Sequence, residues 1–216
     1  MAIEIRKLPL FPLHTVLFPG STTPLNIFED RYKEMINDCR EADSMFGVVL
    51  IKEGEEVGGP SIPHRVGTVA KITNMREVSG GRIYISALGT ERFQIAEIEQ
   101  DTPYLIAAVE VGEPDDNPYI PESEMSSTKE AASTHVKHLL SIRGGWVDHA
   151  RTPSNPVKLS YFLAQLLQID LAKKQDILEN TSCRERLATC KTHLEKANTN
   201  LSVQTGLEVK LRFSRH

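Results

Sequence analysis

The chain has 216 residues, of which 40% are hydrophobic and 25% are charged, and its formal net charge is -4. A globular chain of this length buries roughly 70% of its unfolded surface, so it needs no disulfide framework, and its three cysteines form no paired set. The acidic balance argues against a nucleic-acid binder, which usually carries a basic stripe. Because no signal peptide and no apolar run of ~20 residues is found, we expect a cytoplasmic protein without a membrane span.

The N-terminal segments predict extended chain, a helix and a buried strand, in that order. Apolar residues dominate 3–27, but prolines interrupt them every few positions, and proline disfavours a helix. This segment is therefore predicted to form short strands, with a turn at Pro19-Gly20. Apolar residues at helical spacing over 28–43 predict an amphipathic helix. The compact apolar run at 45–51 predicts a strand that is buried on both faces.

The clearest β signal lies between residues 67 and 111. Two runs of alternating apolar and polar residues flank Gly80-Gly81, which is typical of a hairpin. Gly89-Thr90 is interpreted as a further turn, and two more alternating runs follow it. Several short strands at this spacing predict a barrel or a strongly bent sheet.

A break in composition at 112–121, rich in proline, glycine and acid, marks the predicted domain boundary. We therefore divide the chain into a β-barrel domain with one short helix at 1–113 and a helical bundle at 114–216.

Two features mark helix starts in the second domain. Asn155 before Pro156 fits an N-cap followed by proline at the first helical position, and Ser182 with Glu185 has the capping-box spacing. The tail differs from both, because apolar and charged residues alternate over 207–213, which predicts a terminal strand.

Five segments carry motifs that occur in the same order in one known family. They are LPLFPLHTVLFPGSTTPLNIFEDRY at 8–32, VGTVAKI at 66–72, GRIYISALGTERFQI at 81–95, PYLIAAVE at 103–110 and LAKKQDILENTSCRERL at 171–187. Over about residues 5–195 the chain resembles the N-terminal, or substrate-binding, domain of Lon protease. The resemblance implies an α+β fold, with a PUA-like β-barrel followed by a C-terminal helical bundle, and the binding of unfolded polypeptides. Full-length Lon continues into ATPase and Ser-Lys peptidase domains, so we expect a stand-alone form without either.

Motifs for catalysis are missing from the sequence. It has neither the GxxxxGK[ST] loop that cradles phosphates nor a GxSxG elbow, and Ser126-x-x-Lys129 lacks its companion motifs. His135 and His138 lie one helical turn apart without a further ligand, so we expect them on a solvated helix face. We therefore predict no enzyme, no catalytic residue, no metal site and no cofactor.

The apolar segment between residues 8 and 28 is the best candidate for a binding surface. A strand sends alternate side chains outward, and a contiguous apolar patch usually marks an interaction site. Burial under the helices is nevertheless the favoured fate of any single one of these residues. The candidate peptide-binding residues are Leu13, Phe18, Leu25, Ile27, Phe28 and Tyr32.

Two functions are compatible with these features. The first is a non-catalytic polypeptide-recognition module, an adaptor or chaperone-like binder in proteolysis or protein quality control. Its partners would be unfolded or exposed polypeptide segments and the proteolytic machinery, bound by apolar burial and by strand addition at a sheet edge. Self-association into a homo-oligomer is compatible with it. The alternative is an RNA-binding PUA-like module, which the net charge of -4 disfavours.

Overall fold

The computed structural model describes residues 4–78, 80–114, 118–142 and 152–213, without the side chains of 141, 142 and 200–213. The described residues form a mixed α/β chain with one six-stranded sheet and five helices. The strands are β1 (Glu4–Leu13), β2 (Thr22–Ile27), β3 (Met45–Gly54), β4 (Ser61–Val78), β5 (Arg82–Gln100) and β6 (Leu105–Val111). The helices are α1 (Asp30–Glu41), α2 (Glu122–Ile142), α3 (Pro156–Leu166), α4 (Leu171–Glu179) and α5 (Cys183–Phe213). Among the described residues, no helix combines the length and the apolar character needed to cross a bilayer.

The chain divides into two compact units. One consists of Met1–Asp116 with Gln168–Thr181, and the other of Asn117–Leu167 with Ser182–His216. Helix α4 therefore belongs to the unit that contains the sheet, although it lies far beyond residue 113, where the sequence places the domain boundary.

The sheet has the strand order β2-β5-β4-β3-β1-β6, and β5 pairs in addition with β6. The neighbours β5, β4, β3, β1 and β6 thus form a closed series of pairings, while β2 is attached to β5. The pairing of β1 with β3 is parallel, with Leu10 opposite Gly47, and the other pairings are antiparallel. Among the described strands, β2 pairs with β5 alone.

Phe93 fills the space that two glycines leave in the core. Its ring is fully buried, and a Cβ atom on Gly67 would lie 2.6 Å from its Cζ atom. A Cβ on Gly47 would lie 2.8 Å from the same atom. Because interiors are close-packed, only residues without a side chain fit beside this ring.

The turn predicted at Gly89-Thr90 is wrong, because β5 continues through both residues. The register with β4 shifts at this point and leaves Thr90 as the extra residue of a bulge. Gly89 is required for a close approach: its N donates to Ser21 O at 2.8 Å, and a Cβ would lie 2.5 Å from Phe18 O. Gly89 is therefore needed because the turn at residues 18–21 packs against it, and the chain does not turn at Gly89 itself.

Both predicted helix starts in the second unit are confirmed. Asn155 Oδ1 accepts a hydrogen bond from Lys158 N at 2.9 Å, with Pro156 at the first helical position. Ser182 Oγ accepts one from Glu185 N at 3.3 Å. Each bond satisfies an amide that the first turn of a helix leaves without an intrahelical partner.

The terminal strand predicted at 207–213 is also wrong, since α5 continues as a helix through Phe213. Extending an existing helix by one residue costs far less than nucleating a new element. The leucine, glutamate, lysine and arginine residues of this segment are good helix formers, and Gly206, just before it in α5, costs only about 1 kcal/mol.

The solvated helix face predicted for the two histidines is wrong for His135, which is only 3% exposed. Its Nδ1 lies 2.9 Å from Asn198 Oδ1, and Asn198 Nδ2 donates to Ala131 O at 3.1 Å. His135 is therefore part of the contact between α2 and α5.

Candidate functional site

A cleft of about 270 Å³ opens in the first unit beside β2 and the start of α1. It is lined by Phe11 and Leu13 of β1, Pro24, Leu25, Asn26 and Ile27 of β2, the adjoining Phe28, Glu29 and Tyr32, and Glu56 and Val57 of the loop after β3. Sites for whole small molecules usually have about 300–1,000 Å³. The cleft is therefore of a size to hold one or two side chains of a bound chain.

Five of the six candidate residues line this cleft. Leu13, Ile27 and Tyr32 are at most 5% exposed and form its floor, Leu25 is half-buried, and Phe28 is 46% exposed. These residues come from the end of β1, from β2 and from the start of α1, which lie side by side at the cleft.

Phe18 is the exception among the candidates. Its side chain is only 1% exposed and it is not among the residues of the lining. The turn that contains it folds onto Gly89, where Gly20 N donates to Gly89 O at 2.8 Å. Phe18 is therefore a core residue.

Sequence patterns do not identify the opposite wall, formed by Glu56 and Val57. Val57 is 54% exposed and follows a run of charged and glycine residues that is typical of any surface loop. The contact that brings the loop to the cleft, from His14 N to Glu56 Oε2 at 2.6 Å, joins residues 42 positions apart. No local pattern predicts such a contact.

Aromatic rings make up part of the floor. The centroids of Phe11 and Tyr32 are 4.2 Å apart, and the Arg31 guanidinium carbon lies 4.6 Å from the centre of the Tyr32 ring. Burial raises the pKa of Tyr32, the Arg31 charge opposes this effect, and the carboxylates of Glu29 and Glu56 reinforce it. The phenol is therefore neutral near pH 7 and serves as an apolar surface with one polar end.

The rim is held by a network around Glu29. Its Oε2 accepts hydrogen bonds from Arg31 Nε and from Gly58 N, each at 3.1 Å, and lies 3.0 Å from Arg31 Nη2. Arg31 Nη1 also donates to Gly59 O at 3.2 Å. Arg31 and Glu29 thus form a structural ion pair, which fixes the loop after β3 against the start of α1.

The exposed edge of β2 lies beside the cleft. Thr22, Pro24 and Asn26 of this strand are exposed, whereas Leu25 is half-buried. Proline has no amide to donate, so it occurs in sheets where its nitrogen faces away from a partner strand. A free strand edge next to an apolar cleft is the arrangement that binds extended peptides by strand addition.

Residues 7–196 match the family model of the ATP-dependent protease La (LON) substrate-binding domain. The chain belongs to this family. It is 28% identical to the Lon protease of Flavobacterium johnsoniae over 96% of its own length, and 28% identical to that of Syntrophus aciditrophicus over 83%. It spans only about a quarter of those relatives, 26% and 24% of their lengths. Every residue that lines the cleft lies within the match to the Lon domain.

Solved Lon domains have the same fold. The Lon N-terminal domain protein from Xanthomonas campestris matches with a TM-score of 0.64 and 27% identity, covering 85% of this chain and 96% of that one. The N-terminal domain of the Mycobacterium avium complex Lon protease matches with a TM-score of 0.65, covering 88% of this chain and 98% of that one. Since the latter is only 20% identical, it supports the fold alone.

Proposed function

We propose that this Lon-family chain is a non-catalytic recognition module that holds apolar segments of unfolded polypeptides in the cleft. The supporting observation is that five of the six candidate residues, including Phe28 and Tyr32, line one cleft inside the matched substrate-binding domain. Apolar burial at roughly 25 cal/mol per Å² supplies the affinity.

The binding mode combines a side-chain pocket with a strand edge. A peptide laid along β2 can bond with the main chain of Thr22 and Asn26, while one of its apolar side chains enters between Phe28 and Val57. Main-chain bonds of this kind are independent of sequence, which suits a binder of varied unfolded chains.

The wider role in this proposal is that of an adaptor or chaperone-like binder in proteolysis or protein quality control. It would act in the cytoplasm, where the buried thiols of Cys39, Cys183 and Cys190 stay reduced. Its partners would be unfolded segments and the proteolytic machinery, with self-association as a further mode of assembly. The closed series of strand pairings supports the finer proposal of a PUA-like barrel.

The RNA-binding alternative gains no support from the cleft. Its charged lining residues are Glu29 and Glu56, which would repel a phosphate backbone.

The test is to replace Phe28 by serine in the full chain and to measure binding of a reduced, carboxymethylated model protein. Phe28 is 46% exposed, so the change should leave the fold intact, but it removes an apolar wall of the cleft. Burying a phenylalanine contributes about 1.5–3 kcal/mol, so we expect affinity to fall about tenfold or more.

The matched control is Ile62→Ser. Ile62 is 57% exposed on β4 and is not among the lining residues. Its variant should bind like the parent chain. Equal affinities for all three proteins would contradict the proposal, and so would equal losses in both variants.

A further inference from the structure

The rim of the cleft carries two carboxylates in a common arrangement. Oε2 of Glu29 is occupied by Arg31 and Gly58, and Oε2 of Glu56 is occupied by His14 N. The Oε1 atom of each has no hydrogen-bond or ion-pair partner within the part of the chain that the structure describes. Both carboxylates are thus fixed by one oxygen while the other remains available to a ligand.

The charge of the rim is only partly neutralised, because Arg31 pairs with Glu29 whereas Glu56 has no cationic partner among the described residues. Arg31 is bonded to Glu29 Oε2 and to Gly59 O. Lys33 pairs with Asp30 at 2.9 Å. The lining residues include two carboxylates and, among the described residues, no lysine, arginine or histidine. The cleft is therefore apolar at its floor and negative at its rim.

The two carboxylates act on the same place. Both Glu29 and Glu56 contribute to the raised pKa of Tyr32, whose ring belongs to the floor. The Arg31 charge opposes both, so two carboxylates and one guanidinium act together on this part of the floor.

We propose, on the basis of the recognition function above, that the cleft selects extended segments in which an apolar residue stands two positions from a lysine or arginine. The apolar side chain would enter the cleft, and the cation would reach Oε1 of Glu56, the rim carboxylate that Arg31 does not pair. The spacing follows from β geometry, since residues i and i+2 point to the same side and lie roughly 6.6 Å apart.

The preference arises from partly exposed ion pairs, so it is moderate. Pairs of this kind change an equilibrium about two- to fivefold, and a like charge at the same place has the opposite effect. At 1 M salt the Debye length falls to about 3 Å, which screens most of the effect. Apolar burial is not weakened by this screening.

The experiment uses the full chain and three labelled peptides measured by fluorescence anisotropy. Each peptide carries one phenylalanine in a serine and threonine background, with lysine, glutamine or glutamate at both positions two residues away. We expect the lysine peptide to bind about two- to fivefold more tightly than the glutamine peptide, which in turn binds more tightly than the glutamate peptide. The differences should disappear in 1 M NaCl.

Glu56→Gln is the diagnostic variant, because the glutamine Oε1 can still accept the hydrogen bond from His14 N. It should reduce the advantage of the lysine peptide while leaving the glutamine peptide unchanged. Glu55→Gln is the matched control, since Glu55 is exposed, adjacent and absent from the lining. That variant should retain the full preference.

The outcomes separate this inference from the proposed function. Equal affinities for the three peptides, with binding still weakened by Phe28→Ser, would overturn the charge preference and leave the recognition function standing. Failure of all three peptides to bind would overturn both. A lysine preference that survives Glu56→Gln unchanged would place the cation elsewhere and overturn the inference.

Discussion

At the scale of single residues, glycine determines how closely the strands around Phe93 can approach. A Cβ atom on Gly67 would lie 2.5 Å from Val48 O and 2.6 Å from Phe93 Cζ. Gly67→Ala should therefore lower the free energy of unfolding by about 1–3 kcal/mol, as overpacked cores do. Urea denaturation followed by circular dichroism would measure the change.

Gly59→Ala is the control for this prediction. A Cβ there would have Glu55 Cβ, at 3.9 Å, as its nearest neighbour, which is an ordinary contact. The two variants should differ clearly in denaturation midpoint, and similar midpoints would show that the space around Phe93 is not limiting.

The sequence predicts only the part of the candidate site that residues 13–32 form. Leu13, Ile27 and Tyr32 belong to one continuous segment, so local periodicity was sufficient to group them. Glu56 and Val57 reach the cleft through a long-range contact that leaves no local pattern. The burial of Phe18 also depends on a distant residue, Gly89, and periodicity alone could not separate it from the lining residues.

At the scale of elements, α4 is attached to the sheet by two buried polar side chains. Arg92 Nε donates to Leu178 O at 2.9 Å, and Gln175 Nε2 donates to Val66 O at 3.0 Å. Leu178 O lies in the last turn of α4, where carbonyls lack intrahelical partners. Arg92 is only 5% exposed, so its bonds are shielded from water.

Arg92→Ala should release the end of α4 and cost about 2–4 kcal/mol, because buried carbonyls then lose a charged donor. Amide hydrogen exchange should show faster exchange in α4, together with a lower urea midpoint. Lys173→Ala is the control, since Lys173 on the same helix pairs with the exposed Asp170. If α4 exchanges equally in both variants, Arg92 is not its anchor.

The helices and strands were predictable where a local signal fixed them. Asn155 with Pro156 marked the start of α3, and the alternation around Gly80-Gly81 marked β4 and β5. The strand predicted at 207–213 was wrong because the alternation of apolar and charged residues does not show that the preceding residues already form a helix. A helix already formed before Gly206 continues through this segment, most of whose residues are good helix formers despite their alternating order.

At the scale of the whole molecule, each of the two units contains a buried thiol whose reactivity measures whether that unit is folded. Cys39 belongs to the first unit and Cys190 to the second, and burial raises the pKa of each from 9.0 to about 12. Because the thiolate is the reactive form, neither should react with N-ethylmaleimide at pH 8 in the native chain. Mass spectrometry of the digested protein would assign any label to its unit.

The raised thiol pKa values also determine whether the stability of the fold rises or falls with pH. The protonated thiols contribute stability that is fully present below pH 9 and is lost as the pH rises towards 12. Urea midpoints should therefore fall over this range, and Cys39→Ala should reduce the slope. Rapid labelling of Cys39 in native protein at pH 8 would contradict the prediction.

The division of the first unit into two stretches of chain has a consequence for its synthesis. The strands are complete by residue 111, but α4, whose Gln175 bonds to Val66 O, follows only after the stretch 117–167. At ~5–20 residues per second, the ribosome needs several seconds to deliver it. During that interval the nascent sheet exposes Arg92 and the backbone that α4 later covers, so this is the period when it most needs protection from other chains.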